Sequence, residues 1–165
     1  MKKKILFLGG SSFLAHSWSK HIEKNNKIFL GVHNKLPESY NYVNIKLNFD
    51  SEKDIVSKLS PLNLDLIINC IGYTNIENCE INFEQALKIN SDYASLASRV
   101  SKKLNVKFIH ISTDHLFDGK TSDYDETSKT LPLNNYAKTK FEGEKQVLKF
   151  NKDALIIRTN FFGWG

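Results

Sequence analysis

The chain has 165 residues, of which 41% are hydrophobic and 25% charged, values typical of one globular domain and inconsistent with a disordered or membrane-spanning chain. The net charge of +5 comes mainly from lysines scattered among acidic residues, with only Arg99 and Arg158 as bidentate readers of phosphate or guanine, which argues against nucleic-acid binding. The opening apolar run stops at Gly9, too early for a signal peptide, so no membrane anchor is predicted and the cytoplasm is the expected location.

Short apolar segments alternate with amphipathic ones along the whole chain. The apolar segments are rich in isoleucine, valine and phenylalanine and do not alternate with polar residues, which is typical of strands buried on both faces. Strands are predicted at 4–9, 27–32, 42–48, 65–72, 106–113 and 154–159, and helices at 13–24, 51–60, 83–103 and 135–150. A polar loop covers 118–135, and its length suggests a functional role.

This order of elements predicts the fold class. Strands that alternate with helices form right-handed crossovers and a parallel sheet. We therefore expect an α/β fold, a doubly wound, Rossmann-like parallel sheet of about six strands with helices on both faces. The chain is predicted to form one domain over residues 1–165.

The first strand leads into the glycine turn "LGGSSFLAHSW". The loose pattern GxxGxxG maps onto Gly9, Ser12 and Ala15, so only its first position is glycine. A glycine turn that opens a helix directs backbone N–H groups at a phosphate. The turn therefore predicts a dinucleotide-binding site, with a plain tight turn as the alternative.

The end of the second strand reports on the choice of cofactor. An acidic residue there would bind the ribose 2′-hydroxyl of NAD(H). The chain instead has His33, Asn34 and Lys35, which could meet a 2′-phosphate. NADP(H) is therefore favoured, with NAD(H) as the alternative.

Three side chains are predicted to meet at the carboxyl edge of the sheet. The fifth strand ends at Ser112 and Thr113, and Tyr136 and Lys140 lie four residues apart on the next helix. An ammonium about 4 Å from the phenol, at an effective dielectric of about 20, would lower the phenol pKa by about three units. The set predicts reduction of a ketone, in which Thr113 stabilises the oxygen and Tyr136 delivers the proton.

Several segments resemble, in order and spacing, the extended short-chain dehydrogenase/reductases, and among them most closely the dTDP-4-dehydrorhamnose reductases. The segments are "DLIINCIGYTNIENCE", "LKINSDYASLA", "FIHISTDHLFDG", "LPLNNYAKTKFEGEK" and "IIRTN". The resemblance implies an NAD(P)H-dependent oxidoreductase that reduces a nucleotide-linked 4-keto-deoxysugar for cell-surface polysaccharide. It leaves open a sugar-nucleotide epimerase or dehydratase, and a non-catalytic, dinucleotide-binding regulatory subunit.

The resemblance also implies roles for particular residues. Thr113, Tyr136 and Lys140 are the implied catalytic set, and Tyr136 and Lys140 would also contact the cofactor. His115 and Phe161, with Thr113, are the implied sugar-binding residues, although many relatives have tyrosine in place of His115. The further implied cofactor-binding residues are Gly9, Ser11, Ser12, Phe13 and Leu14 at the pyrophosphate, Asn48 and Phe49 at the adenine, and Cys70, Ile71, Gly72 and Ser112 along the cleft.

Relatives continue into a carboxyl-terminal region that closes over the sugar nucleotide. The chain stops at Gly165, so this region is expected to be absent and the chain to be a truncated form. The resemblance also suggests a homodimer formed through the helices at 83–103 and 135–150. The histidines and the cysteines Cys70 and Cys79 lack metal-ligand spacing, so no metal is predicted.

Overall fold

The computed structural model describes residues 1–33 and 42–160. Its strands are β1 (Lys3–Leu8), β2 (Asn26–Val32), β3 (Val43–Lys46), β4 (Leu66–Asn69), β5 (Lys107–Thr113) and β6 (Leu155–Thr159). They form one six-stranded sheet in the order β3-β2-β1-β4-β5-β6, and all neighbouring strands are parallel. The chain reverses direction of winding between β1 and β4, as in doubly wound folds. The predicted fold class is confirmed.

The helices are α1 (Phe13–Ile22), α2 (Glu52–Leu59), α3 (Ile76–Ile81), α4 (Phe83–Leu87), α5 (Tyr93–Lys103) and α6 (Asn135–Phe150). The predicted helix at 83–103 is therefore interrupted, because a π-helical turn at Lys88–Asp92 separates α4 from α5. The α3 helix was not predicted. Its sequence is short and has one buried residue, Cys79, so it shows no apolar period.

Apolar side chains cover both faces of the sheet. On one face, Phe7 and Ile5 of β1 pack with Ala15 of α1. On the other face, Leu6 and Leu8 of β1 belong to a larger cluster that includes Ile55 of α2, Ala97 of α5 and Val147 of α6. Because successive side chains of a strand point to opposite faces, β1 contributes to both cores.

The outer strands differ from the prediction that every strand is buried on both faces. Val43 of β3 is 48% exposed and Leu155 of β6 is 55% exposed, since each strand has a neighbour on one side only within the described sheet. The fourth strand also ends earlier than predicted. It stops at Asn69, and residues 70–72 lie outside any helix or strand.

Within residues 1–33 and 42–160, no helix combines the length and the apolarity needed to cross a lipid bilayer.

Candidate active site

A groove follows the carboxyl edge of the sheet and consists of two adjoining cavities. The first, which we call the tyrosine cavity, has a volume of about 460 Å³ and is lined by Thr113, Tyr136 and Lys140 among others. The second, the glycine cavity, has a volume of about 340 Å³ and is lined by Gly9 and Ser11 among others. Ser12 and residues 70–72 line both cavities, so the two form one continuous groove. In doubly wound sheets this edge is where ligands bind.

Two successive glycines, of which Gly9 lines the glycine cavity, bring the turn close to the strands. Gly9 has a φ of +74°, and a Cβ added there would lie 3.0 Å from the backbone nitrogen of Ile71. A Cβ on Gly10 would lie 2.6 Å from the Cβ of Leu30. Both positions therefore require glycine, which lets the turn approach the strands closely.

The turn then opens α1 in the way the sequence predicts. The Ser12 hydroxyl accepts a hydrogen bond of 3.2 Å from the Ala15 N–H and so caps the helix. The first turn of α1 contains no acidic side chain, so its amide groups present an uncompensated positive end to the groove. The predicted residues Phe13 and Leu14 line the tyrosine cavity, next to this end.

Aromatic rings form the outer end of the glycine cavity. Phe49 lies between Tyr93, with ring centroids 5.1 Å apart, and His33, with centroids 6.5 Å apart. His33 and Phe49 were predicted, but Tyr93 and Ile89, which also line the cavity, were not. The sequence shows these two residues only as members of the apolar stripe of a helix.

One of the predicted cofactor residues lies outside the groove. Asn48 is exposed and lines neither cavity, because its side-chain oxygen accepts a hydrogen bond of 3.0 Å from the Asp50 N–H. Asn34 and Lys35 lie outside the described residues.

The three predicted catalytic side chains are brought together in the tyrosine cavity. Thr113 ends β5, and its side chain and the phenol of Tyr136 line the same cavity. Lys140 is buried, and its Nζ donates a hydrogen bond of 2.6 Å to the backbone oxygen of Ile111, two residues before Thr113. The α6 helix that carries Tyr136 and Lys140 is capped by Asn134, which accepts a hydrogen bond of 2.8 Å from the Ala137 N–H.

The protonation of this set differs from the sequence-based expectation. Burial raises the pKa of the Tyr136 phenol, against a smaller lowering by the nearby Thr113 hydroxyl. Burial lowers the pKa of Lys140 to about 8, against a raising by Glu144. The prediction that Lys140 lowers the pKa of Tyr136 is therefore wrong for this structure. The ammonium is directed at the Ile111 carbonyl instead of at the phenol, and burial of the phenol disfavours its charged form.

Buried polar groups hold the segment 70–72, which lines both cavities. The Asn69 side-chain oxygen accepts a hydrogen bond of 3.2 Å from the Ile71 N–H, and its amide nitrogen lies 3.0 Å from Nδ1 of His110. His110 is fully buried, and burial lowers its pKa well below the usual value. The ring is therefore neutral, and Nδ1 accepts from the Asn69 amide. Burial also raises the pKa of the Cys70 thiol to about 12, so this cysteine is not a thiolate at neutral pH.

His115 stands at the junction between the tyrosine cavity and a third cavity. Its ring meets that of Tyr136 edge to face, with centroids 5.9 Å apart. The third cavity has a volume of about 760 Å³ and is lined by His115, Asn134, Arg158 and residues of the loop after β5. Phe161, the other residue assigned to the sugar from the resemblance, lies outside the described residues.

Some lining residues were missed at the sequence level. Thr74, Ile76, Thr159 and Asn160 line the tyrosine cavity. Thr74 and Ile76 precede or begin the α3 helix that the sequence did not reveal, whereas Thr159 could have been found because it ends a predicted strand. The predicted Ser112 lines the cavity too, and its buried hydroxyl has no hydrogen-bond partner among the described residues.

Among residues 1–33 and 42–160, no three histidine, cysteine, aspartate or glutamate side chains lie together in a way that could hold a metal ion.

Comparison with known proteins identifies relatives that are named as reductases. The chain is 38% identical over 113 residues to a probable low-salt glycan biosynthesis reductase of Haloferax volcanii, covering 68% of this chain and 37% of that protein. It is 28% identical to a dTDP-4-dehydrorhamnose reductase of Aggregatibacter actinomycetemcomitans, covering 96% of this chain and 51% of that protein.

Solved structures show the same fold. The crystal structure of a hypothetical dTDP-4-dehydrorhamnose reductase from Sulfolobus tokodaii is 30% identical, with a TM-score of 0.81, over 96% of this chain and 55% of that one. A dTDP-4-dehydrorhamnose reductase from Bacillus anthracis, solved in complex with NADP, has a TM-score of 0.77 and 23% identity over 96% of this chain and 53% of that one.

The chain thus spans about half the length, or less, of the relatives it matches. The family model described as "RmlD substrate binding domain" matches residues 2–163, which is nearly the whole chain. The resemblance suggested by the motifs is confirmed: this chain belongs to the RmlD substrate-binding domain family.

Proposed function

We propose that the protein binds NADP(H) in the groove and, as part of the whole gene product, reduces the keto group of a nucleotide-linked 4-keto-deoxysugar. The observation that carries this proposal is the convergence of Thr113, Tyr136 and Lys140 on one cavity that is continuous with a glycine turn. The same convergence makes these three residues the proposed catalytic set.

The groove has the features that a dinucleotide needs. Gly9 and Gly10 let the turn pack directly against the neighbouring strands, and a pyrophosphate could contact the amide groups at the start of α1. Phe49 and Tyr93 offer flat apolar surfaces to an adenine, and Ser112 offers an unpaired hydroxyl at the opposite end. The Bacillus anthracis relative holds NADP, which agrees with this assignment. His33 lines the glycine cavity and leaves NADP(H) favoured over NAD(H).

The chemistry follows from the side chains of the tyrosine cavity. A bound NADPH would supply the hydride to the keto carbon. The carbonyl electron pair then moves onto oxygen, and Thr113 donates a hydrogen bond to the developing charge. Tyr136 donates its proton to that oxygen, which makes the alcohol and leaves a phenolate. Water then restores the proton of the phenolate.

The raised pKa of Tyr136 is compatible with this role. A general acid must carry its proton before the reaction, and burial keeps the phenol neutral at physiological pH. Transfer then becomes favourable only as charge develops on the substrate oxygen. Lys140, with a pKa of about 8, is mostly an ammonium at pH 7.

The substrate assignment rests on the relatives, since three of the four described above are named as dTDP-4-dehydrorhamnose reductases. His115 and Thr113 lie where a keto sugar would approach Tyr136, and we assign them to substrate binding. We further propose that residues 1–165 form the dinucleotide-binding domain and that the region closing over the sugar nucleotide lies elsewhere in the gene product. The cytoplasm is the proposed compartment and a homodimer the proposed assembly.

Cofactor binding is tested by fluorescence titration of the 165-residue protein with NADPH and, separately, NADH. We expect saturable binding with a lower Kd for NADPH. Gly9→Val should abolish it, since the added side chain collides with the backbone at 70–71, whereas Lys20→Ala, an exposed change on α1, should not. Circular dichroism establishes that each variant is folded. If the folded protein binds neither dinucleotide, the assignment of the groove is wrong.

Turnover is tested with the whole gene product, NADPH and a dTDP-linked 4-keto-6-deoxysugar. A reductase oxidises one NADPH for each alcohol formed. An epimerase or dehydratase would change the sugar without net consumption of NADPH, and a regulatory subunit would bind the dinucleotide without changing the sugar. Either of these outcomes would overturn the reductase proposal.

A further inference from the structure

The α6 helix carries a buried carboxylate on the same side as Tyr136 and Lys140. Glu144 lies four residues after Lys140, so the three side chains occupy successive turns on one side of the helix. Glu144 is only 4% exposed and Lys140 only 3% exposed. A carboxylate in this position is costly to bury unless it has a specific partner.

The partner of Glu144 is Arg158 on the neighbouring strand β6. Its Nε donates to Oε1 of Glu144 at 3.0 Å, and its Nη2 donates to Oε2 at 2.8 Å. Two parallel hydrogen bonds from the rigid guanidinium fix the orientation of the carboxylate. Arg158 also contacts an aromatic ring. Its guanidinium carbon lies 5.6 Å from the centroid of the Phe117 ring, which helps to hold the arginine in place.

The charges around Lys140 leave Glu144 as its main negative neighbour. His110 faces it from β5 and is neutral, and Cys70 faces it from the end of β4 as a neutral thiol. Tyr136 precedes it on α6 with a raised pKa. Burial lowers the pKa of Lys140 to about 8, and Glu144 is the largest influence that opposes this lowering.

We propose that Glu144 is a positioning residue for Lys140: held by Arg158, its carboxylate keeps the buried Lys140 side chain, which donates to the Ile111 carbonyl, in its charged form. The role in catalysis rests on the proposed function, because it matters only if Lys140 contacts the cofactor or the phenolate. The electrostatic statement itself does not depend on any ligand.

A simpler role for the ion pair is to tie α6 to β6. Loss of either partner would then weaken the fold in the same way, with no particular effect on Lys140. The proposal instead predicts effects of opposite sign on the lysine. Removal of the carboxylate should favour neutral Lys140, whereas removal of the guanidinium should leave Lys140 as the nearest cation to Glu144 and favour its charged form.

The test follows the protonation of Lys140 directly, by NMR of protein labelled at lysine Cε, with the resonance assigned by its loss in Lys140→Met. In Glu144→Gln we expect the titration midpoint to fall by about one pH unit or more, from the size of a charge interaction across one helical turn. In Glu142→Gln, a matched change on the same helix whose carboxylate pairs with Lys145, the midpoint should stay in place.

Arg158→Met supplies the opposite sign, and we expect its Lys140 midpoint to stay or rise. If Glu144→Gln does not fold, the double variant Glu144→Met/Arg158→Met replaces the pair with apolar side chains, a change that is often tolerated. Its Lys140 midpoint should also fall. A folded variant without Glu144 whose midpoint does not move overturns the proposal, and so does a shift in the same direction in Glu144→Gln and Arg158→Met.

A second measurement connects this role to ligand binding. In Glu144→Gln the Kd for NADPH should rise severalfold at pH 7.5 and return toward the original value at pH 6, where Lys140 regains its proton. A purely structural defect would not recover at the lower pH. If no variant binds NADPH, the proposed function fails, whereas the NMR titration still decides the role of Glu144.

Discussion

The two halves of the sheet differ in what they bury. Around β1 and β2 the buried side chains are apolar, with Ser19 as the one buried polar side chain among the described residues before position 69. The segment from Asn69 to Asn151 holds the other buried polar and charged side chains, which include His110, Lys140 and Glu144. The core of the first half therefore holds no titratable side chain among the described residues, and the second half holds the chemistry at a cost in stability.

The same contrast explains how the two halves are built. The first half needs glycine at positions 9 and 10 so that the chain can approach its neighbours, and it needs apolar side chains elsewhere. In the second half, buried polar groups are stabilised by partners, such as Asn69 for His110 and Arg158 for Glu144, whereas the Ser112 hydroxyl has none among the described residues. Changes in the two halves should therefore have different signatures.

The largest effect is expected from Tyr136→Phe. Loss of the proton donor should lower the rate of keto-sugar reduction by the whole gene product about 10²- to 10⁴-fold, with little change in NADPH affinity. Steady-state kinetics measures it. Tyr42→Phe, which removes a hydroxyl bonded to Glu23 far from the groove, is the control and should keep full activity. Undiminished reduction by Tyr136→Phe would show that the phenol is not the acid.

Phe7→Ala tests the apolar half of the molecule through its effect on folding stability. Phe7 is fully buried and its ring packs edge to face on Trp18, with centroids 5.8 Å apart. The cavity left behind should lower the free energy of unfolding by about 3–5 kcal/mol, equally at pH 6 and pH 8. Denaturant unfolding at both pH values measures it. A loss that differs by more than about 1 kcal/mol between them would place a titrating group in this half.

Lys140→Met should act in the opposite direction on stability. The pKa of Lys140 falls from 10.5 to about 8 on folding, so burial of its charge costs about 3 kcal/mol of stability. Replacing it by methionine removes this cost but also loses the hydrogen bond to Ile111, which is worth about 1 kcal/mol. The variant should therefore be more stable at pH 7 by about 2 kcal/mol and inactive.

The pH dependence of the stability gain in Lys140→Met is the control for this prediction. A folded-state pKa below the unfolded value means that the burial penalty is complete below about pH 8 and disappears as the pH rises toward 10.5. The advantage of Lys140→Met should shrink over the same range. An advantage that persists unchanged at pH 10.5 would show that packing, and not charge burial, is responsible.

The smallest effect is expected from His110, as a loss of folding stability in the acidic pH range. The pKa of His110 in the folded protein is well below 6.5, so only the unfolded chain gains a proton as the pH falls below that value. Stability should fall by about 1.4 kcal/mol per pH unit in this range because of His110. His110→Gln should lessen this slope, whereas His21→Gln, an exposed histidine on α1, should not. Equal slopes in the two variants would mean that His110 is protonated in the folded state.

The sequence predicted the fold because alternation of apolar strands and amphipathic helices is a local signal. It also predicted Thr113, Tyr136 and Lys140, since each sits at a strand end or at the start of a helix, where topology decides position. It missed α3 and the π-helical turn at Lys88–Asp92, which have no periodic signature.

The prediction for the pKa of Tyr136 failed for a different reason. Spacing on a helix brings Lys140 near the phenol, but it does not say which acceptor the ammonium selects or how deeply each group is buried. Both are properties of the packed structure. The placement of Asn48 is also a property of the packed structure. Its side chain hydrogen-bonds to the local backbone, and its position after β3 in the sequence does not reveal this.

The most direct test of the account is a crystal structure of the 165-residue protein with NADP⁺. We predict that the pyrophosphate contacts the turn at Gly9–Ser12, and that the nicotinamide ring lies in the tyrosine cavity with its ribose beside Lys140 and its reactive carbon facing Tyr136 and Thr113. A dinucleotide bound with its nicotinamide outside that cavity, or with the three side chains directed away from it, would contradict the account.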